Sequence, residues 1–143
     1  MSDYLFTYGT LHPGHAPEEI AAAVRKLRPV GTGFLYGALY DLGDYPGAVL
    51  DAASKRKIAG TVFQLPKDED VLRQLDEYEG FDPDSPAQSL FLRTHCSVTL
   101  DSGNSLPCWI YVYNRAPETA RWLASGAYQI NLRDVGANTD LPV

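Results

Sequence analysis

The chain has 143 residues, of which 45% are hydrophobic and 21% charged, and 18 acidic against 12 basic residues give a net charge of −6. This is the composition of an ordinary globular protein, and we expect one domain spanning residues 1–143. The sequence has no stretch of about 18 apolar residues and no secretory pattern at its start, so we expect a cytoplasmic protein without membrane association.

The basic residues that are adjacent in sequence form two short groups, Arg25–Arg28 and Lys55–Lys57. Neither group is long enough to outweigh the net negative charge, which repels a phosphate backbone. We therefore expect no nucleic acid partner. The oligomeric state stays open at this level.

In chain order, the first predicted elements are a strand and a helix. Tyr4–Tyr8 alternates apolar and polar side chains as a strand does, and Gly9 stops it. Pro17 is typical of the first turn of a helix. The buried stripe of this helix comprises Ile20, Val24 and Leu27, and Pro29 is predicted to end it.

Three strands are predicted next. Val30–Leu42 is rich in aromatic and β-branched residues and is interrupted by glycines, which favours a long strand that bends as at a barrel corner. Ala48–Leu50 predicts a short strand and Ile58–Leu65 a clearer one.

A helix is predicted over Asp68–Glu79, with Asp68 as its N-cap and Gly80 just past its end. At 100° per residue, Leu72, Leu75 and Glu79 fall within about 60° of one another. Asp76 lies at the edge of this stripe. The other acidic residues point away from it and are expected to be solvated: Glu69, Asp70 and Glu77.

Glu79 is therefore a carboxylate on the face that points to the core. Burial disfavours its charged form, and so does the negative end of the helix dipole, so both are expected to raise its pKa. A glutamate of this kind is suited to general acid–base catalysis near neutral pH. The alternative is a structural acid that accepts backbone N–H groups or pairs with an arginine of a neighbouring strand.

The second half of the chain begins with a polar loop over residues 81–86. Leu90–Leu100 and Leu106–Tyr113 then predict an antiparallel hairpin, and Pro117–Ala124 predicts a short helix. Because strands outnumber helices and do not alternate strictly with them, we expect an α+β fold, a small mixed β barrel with two or three helices packed on it. Cys96 and Cys108 flank the hairpin turn and are expected to be reduced thiols, a disulfide being the alternative.

A second candidate site follows the first strand, where Gly9 allows a ligand to approach the main-chain N–H groups of Tyr8–Leu11. An ordinary strand-to-loop turn is the alternative. A metal site at His12–His15 is disfavoured, since Pro13 and Gly14 break any helical alignment of the two imidazoles. Cys96 beside His95 is poorly arranged for nucleophilic catalysis because adjacent strand residues face opposite ways.

Taken together, six segments in this order and spacing resemble the γ-glutamylcyclotransferase-like family, which includes γ-glutamylamine cyclotransferases and avirulence-induced-gene-like proteins. The resemblance covers about residues 4–128. The segments are Tyr8–Leu11, Gly37–Gly47, Leu75–Gly80, Phe91–Arg93, Trp109–Tyr113 and Ser125–Tyr128.

The resemblance implies a cofactor-free and metal-free enzyme that releases 5-oxoproline from a small γ-glutamyl substrate. It implies that Glu79 is the catalytic base and acid and that Tyr8, Gly9, Thr10 and Leu11 bind the glutamyl group. Further substrate-binding residues are expected at Tyr45, Phe91 and Tyr111. A non-catalytic protein that binds a γ-glutamyl or other carboxylate ligand in the same pocket is the alternative function.

This chain departs from the family's pattern at two points. Phe91 stands where members often carry tyrosine before Arg93, so a phenol that can donate a hydrogen bond is lost, which bears on substrate range. His12-Pro13 follows the first loop where a basic residue is common, which leaves the leaving-group side of the substrate undefined.

Overall fold

The structure is a computed structural model that describes residues 3–9, 18–42, 46–51, 53–115 and 121–122. The strands are β1 (Tyr4–Thr7), β2 (Arg28–Asp41), β3 (Pro46–Leu50), β4 (Lys57–Gln64), β5 (Phe91–Leu100), β6 (Ser105–Tyr113) and β7 (Arg121–Trp122). The α-helices are α1 (Glu18–Val24), between β1 and β2, and α2 (Glu69–Glu79), between β4 and β5. A 3-10 turn at Pro86–Gln88 precedes β5.

Five strands close into a barrel in the order β2, β4, β1, β6, β5 and back to β2. The pairing of β1 with β6 is parallel, and the other four pairings in the ring are antiparallel. The C-terminal part of β2 extends past the ring and pairs with β3 on one side and β7 on the other. The predicted mixed barrel with helices packed on it is confirmed.

Strand β2 is the element that closes the barrel. It is 14 residues long, its register against β4 shifts between Pro29 and Gly31, and Gly33 then pairs with Leu100 of β5. A Cβ atom at Gly33 would lie 2.5 Å from the Thr99 carbonyl oxygen, so the two backbones approach closely only because this residue lacks a side chain.

The core fills the barrel and the space beneath both helices. Its largest fully buried side chains are Tyr111, Phe6, Phe63, Phe91, Leu5, Leu39, Ile58, Leu75, Ile110, Glu79 and Val24. A glutamate belongs to this set, which is unusual because a buried carboxylate must be paired, neutralised or used. Neither of the two described helices is long and apolar enough to span a membrane.

Most predicted elements lie within two residues of their observed bounds, with two corrections. Helix α1 ends at Val24, before Pro29, and Pro29 lies inside β2. The predicted helix over Pro117–Ala124 is wrong at Arg121–Trp122, which form a short strand paired with Tyr40 and Asp41 of β2. Pairing with an open strand edge outweighs a weak local helix preference. The remainder of that predicted helix lies outside the described residues.

Candidate active site

The last turn of α2 places Glu79 in a defined orientation because both ends of the helix are capped. The Asp68 side chain accepts a hydrogen bond from the Asp70 amide at 3.0 Å. At the other end Gly80 adopts φ 74°, its N–H bonds to the Glu77 carbonyl, and the Phe81 N–H bonds to the Asp76 carbonyl at 2.9 Å. This is a Schellman motif, and both predicted caps are confirmed.

The inner face of α2 carries two carboxylates as well as apolar side chains. Glu79 is 1% exposed and Asp76 is 6% exposed, and Val71 and Leu75 are buried beside them. The helical projection predicted that Glu79 points toward the core, and its burial confirms this. Asp76, expected at the edge of the stripe, is buried as well.

Asp76 receives three hydrogen bonds from the barrel wall. Arg93 of β5 donates from Nε to Oδ1 at 2.7 Å and from Nη2 to Oδ2 at 3.2 Å, and the Tyr111 hydroxyl of β6 donates to Oδ1 at 2.7 Å. The guanidinium carbon of Arg93 lies 4.2 Å from the centre of the Trp109 ring. Arg93 therefore forms a bidentate pair with Asp76. The sequence had suggested, as the structural alternative to catalysis, that an arginine of a neighbouring strand pairs with Glu79.

Tyr8, the residue that follows β1, is 5% exposed. Its hydroxyl donates to the backbone carbonyl of Tyr111 and accepts from the Ala48 amide at 3.2 Å. Burial raises the pKa of the Tyr8 phenol well above its ordinary value, and the nearby charge of Glu79 raises it further. Tyr8 is therefore a neutral phenol that joins β1, β3 and β6.

Tyr111 has a similar environment. Burial is the largest cause that raises its pKa, followed by the charge and the hydrogen bond of Asp76 and by the charge of Glu79, while Arg93 acts in the opposite direction. The charge of Glu79 thus acts on the phenols of both Tyr8 and Tyr111. The hydrogen bond from Tyr111 to Asp76 connects β6 to the helix that carries Glu79.

The other predicted substrate-binding residues fall into two groups. Gly9 directly follows Tyr8 and is partly buried, and Phe91 is fully buried and packs against Tyr113 with ring centres 5.7 Å apart. Thr10, Leu11 and Tyr45 lie outside the described residues. The structure thus joins Tyr8 to Tyr111, joins Tyr111 to the helix that carries Glu79, and places Phe91 in the core beside β6.

The sequence also offered a metal site and a cysteine beside a histidine as candidate chemistry. The part of the chain that the structure describes contains no group of three or more potential metal ligands, and His12–His15 lies outside it. His95 stacks on Trp109 with ring centres 3.6 Å apart. Cys96 and Cys108 face each other across β5 and β6 as free thiols, as expected.

An open depression of about 680 Å³ lies at the C-terminal end of α2. Asp76, Glu77, Phe81 and Asp84 are among its lining residues, and Glu79 is not. This depression therefore borders Asp76 from the solvent side.

Sequence reasoning did not identify Asp76 and Arg93 as partners in the site. The signal for Asp76 was its position three residues before Glu79, which places both side chains on one helix face. Arg93 was noted only as part of a motif, and the 17 residues that separate it from Asp76 hide the pairing.

Comparisons with known proteins identify a family and a relative that the chain resembles. Residues 5–130 match the profile of the family described as gamma-glutamyl cyclotransferase, AIG2-like. The chain is 32% identical over 112 residues to a gamma-L-glutamyl-butirosin B gamma-glutamyl cyclotransferase of Niallia circulans, an alignment that covers 78% of this chain and 67% of the relative.

The structural comparisons agree on the fold. An AIG2-like protein from Mus musculus has a TM-score of 0.67 at 22% identity, with 90% of this chain and 88% of that chain covered. YkqA from Bacillus subtilis has a TM-score of 0.65 at 22% identity, with 90% of this chain covered. Our chain spans 40% of the length of that B. subtilis protein.

Proposed function

The chain belongs to the gamma-glutamyl cyclotransferase, AIG2-like family, and from this premise we propose that it is a cofactor-free cyclotransferase that releases 5-oxoproline from a γ-glutamyl amine or peptide. The observation that carries the proposal is one buried carboxylate, Glu79, on the helix that the hydrogen bonds of Tyr111 connect to Tyr8 at the end of β1. Its charge acts on the Tyr8 phenol, and the loop that begins at Tyr8 is the proposed site for the glutamyl group.

The reaction requires no nucleophile from the protein. The α-amine of a γ-glutamyl amide attacks the γ-carbonyl carbon of the same molecule, a C–N bond forms in a five-membered ring, and the bond to the departing amine breaks. Because both reacting groups belong to one molecule, the protein gains most by holding the substrate in its cyclising conformation. The products are 5-oxoproline and a free amine.

Glu79 supplies the proton transfers in this scheme. It accepts a proton from the substrate ammonium so that the amine can attack, and it returns that proton to the departing nitrogen when the tetrahedral intermediate collapses. The second proton that the ring nitrogen loses as the lactam forms passes to the departing amine by the same carboxylate, so the amine leaves as an ammonium. A carboxylate that is 1% exposed is shielded from bulk water, which favours exchange with a bound substrate. One residue thus serves as base and then as acid.

The loop after β1 supplies the remaining functions. We propose that N–H groups of Gly9, Thr10 and Leu11 donate hydrogen bonds to the γ-carbonyl oxygen as it gains negative charge, and that they hold the glutamyl carboxylate. Tyr8 and Tyr111 have their hydroxyls bonded within the protein, so they act as pocket walls. Tyr45 is the further residue of the proposed wall, whereas Phe91 is fully buried in the core.

The leaving amine is the variable part of the substrate. The Niallia circulans relative is named for a γ-glutamyl group on butirosin B. A panel of γ-L-glutamyl-butirosin B, one simple γ-glutamyl amine and one γ-glutamyl peptide therefore tests activity and leaving group together, with 5-oxoproline as the measured product.

The matched control is each substrate with its α-amine acetylated. We expect 5-oxoproline from at least one free-amine substrate and none from its acetylated form, because acetylation removes the attacking nucleophile. A bound ligand that raises the melting temperature and is recovered uncleaved across the panel would overturn the proposal in favour of a binding protein.

A further inference from the structure

Two carboxylates lie buried on the last turns of α2, and the proposed reaction uses one of them. Asp76 precedes Glu79 by three residues, a spacing that places their Cβ atoms about 5–6 Å apart on one helix face. They are 6% and 1% exposed. Two carboxylates this close in a poorly solvated place each raise the free energy needed to ionise the other, unless a positive charge neutralises one of them.

Asp76 is balanced by a cation held in a fixed orientation. Arg93 binds both of its carboxylate oxygens, and the side chains of the pair are 15% and 8% exposed. Arg93 is in turn stacked on Trp109 at 4.2 Å and lies 5.7 Å from the Phe81 ring centre. A planar guanidinium held this way fixes the orientation of the carboxylate that it binds and carries a full positive charge opposite to it.

The same carboxylate connects α2 to the beginning of the proposed glutamyl loop. The Tyr111 hydroxyl donates to Asp76, and the Tyr111 backbone carbonyl accepts from the Tyr8 hydroxyl. The helix that carries Glu79 and the end of β1 are therefore attached to one residue of β6. A displacement of Asp76 would move Glu79 relative to Tyr8.

We propose that Asp76 and Arg93 form a positioning pair for Glu79, in which Arg93 cancels the negative charge that Asp76 places beside the Glu79 carboxylate. The pair does not touch the substrate. Its purpose, to keep Glu79 in a state that both accepts and returns a proton, rests on the proposed function, whereas its electrostatic effect on Glu79 is measurable without any substrate.

The described residues near Glu79 in the fold include neutral and charged groups. Tyr8 after β1 and Tyr111 on β6 are neutral phenols, and the charge of Glu79 raises the pKa of both. Glu77 on α2 points outward and pairs with Arg73 at 3.4 Å, where solvent screens it. Asp76 on α2 is buried, and the Arg93 side chain on β5 is 15% exposed.

The experiment is a pH titration of the Glu79 side-chain carboxyl by ¹³C NMR, with the signal assigned by its loss in Glu79→Gln. Asp76→Asn leaves the Arg93 charge unbalanced, and Arg93→Gln leaves the Asp76 charge unbalanced. We expect the first to lower and the second to raise the pKa of Glu79, each by about one unit.

Two further variants separate charge from structural damage. Arg93→Lys keeps the charge and loses the bidentate geometry, so the Glu79 pKa stays near that of the wild type. The double variant Asp76→Asn/Arg93→Gln restores neutrality and returns the pKa toward the wild-type value. General loosening of the fold would move the single variants in the same direction, and that result would overturn the proposal, as would a Glu79 pKa that no variant moves.

The titration tests the effect of the pair on Glu79, and the activity assay tests the proposed function, so either one can be rejected without the other. Opposite pKa shifts together with no 5-oxoproline from any substrate would reject the proposed function and leave the pair's effect on Glu79 standing. An active enzyme whose Glu79 titrates identically in all variants would reject the pair and leave the function standing. If Arg93→Gln does not fold, a Glu79 pKa that falls in Asp76→Asn and stays at the wild-type value in Arg93→Lys still separates the charge effect from loosening of the fold, which would lower it in both.

Discussion

The Tyr8 hydroxyl donates a hydrogen bond to the backbone carbonyl of Tyr111, which joins the end of β1 to the middle of β6. Tyr111 in turn holds Asp76 on α2 with its own hydroxyl at 2.7 Å. Tyr8, where the proposed glutamyl loop begins, and Asp76, three residues before Glu79, are therefore both bonded to one residue of β6.

Replacing Tyr8 by phenylalanine removes one hydroxyl and leaves two buried backbone groups, the Tyr111 carbonyl and the Ala48 amide, without this partner. We expect a loss of about 1–3 kcal/mol in the free energy of unfolding. Urea denaturation measures it. Tyr36→Phe is the matched control, since Tyr36 is 43% exposed and its hydroxyl change should cost little; equal effects of the two substitutions would contradict the structural role of Tyr8.

Removing Asp76 should cost more than removing an exposed acid of the same helix. Asp76→Asn breaks the pair with Arg93 in a mostly buried place, and we expect a loss of at most about 3 kcal/mol, the lower end of the range for buried pairs. Asp70→Asn breaks an exposed contact with Arg73 and should leave the denaturation midpoint nearly unchanged. A comparable midpoint shift for both variants would show that Asp76 is not held as described.

The Gly80 cap is predicted to depend on backbone conformation. Gly80 adopts φ 74°, a region that alanine enters at a cost of about 1–2 kcal/mol and asparagine tolerates better. Gly80→Ala should therefore lower the melting temperature, and Gly80→Asn should lower it less. Because a Cβ at Gly80 meets nothing closer than 3.8 Å, steric overlap does not account for the difference. Identical melting temperatures for the two variants would argue against the left-handed cap.

The two cysteines predict a pH dependence of stability. Burial raises the pKa of Cys96 to about 12 and of Cys108 to about 11, from an ordinary value of 9.0. Since the unfolded chain loses these protons first, their contribution to stability is complete below pH 9 and is lost as the pH rises toward 11–12. The urea denaturation midpoint should therefore fall as the pH rises from 9 to about 12, and a midpoint that does not change over this range would contradict the raised pKa values.

The local pattern of the sequence was sufficient for α2 and for the burial of Glu79. The caps at Asp68 and Gly80 depend on residues next to the helix, and the direction of Glu79 follows from helical spacing alone. The hairpin of β5 and β6 was equally accessible because its turn and its two strands are adjacent in the chain.

The features that escaped prediction depend on contacts between distant residues. The closing pair Gly33 and Leu100, and the parallel pair Leu5 and Trp109, join segments that no local period connects. Arg121–Trp122 pairs with the free edge of β2. The local sequence favours a helix there, so it does not predict this strand pairing. Helical projection placed Asp76 at the edge of the buried stripe of α2. Its burial depends on Arg93, a residue distant in sequence that stabilises the carboxylate.

The most direct test of the proposed function compares Glu79→Gln with Glu77→Gln in the rate of 5-oxoproline formation from an active γ-glutamyl substrate. Both variants make the same chemical change on one helix, but Glu79 is buried and Glu77 is exposed. With melting temperatures close to that of the wild type, we expect Glu79→Gln to lose about 10²- to 10⁴-fold in kcat and Glu77→Gln to keep its rate. Equal rates for Glu79→Gln and the wild type would contradict the assignment of Glu79 as the proton shuttle.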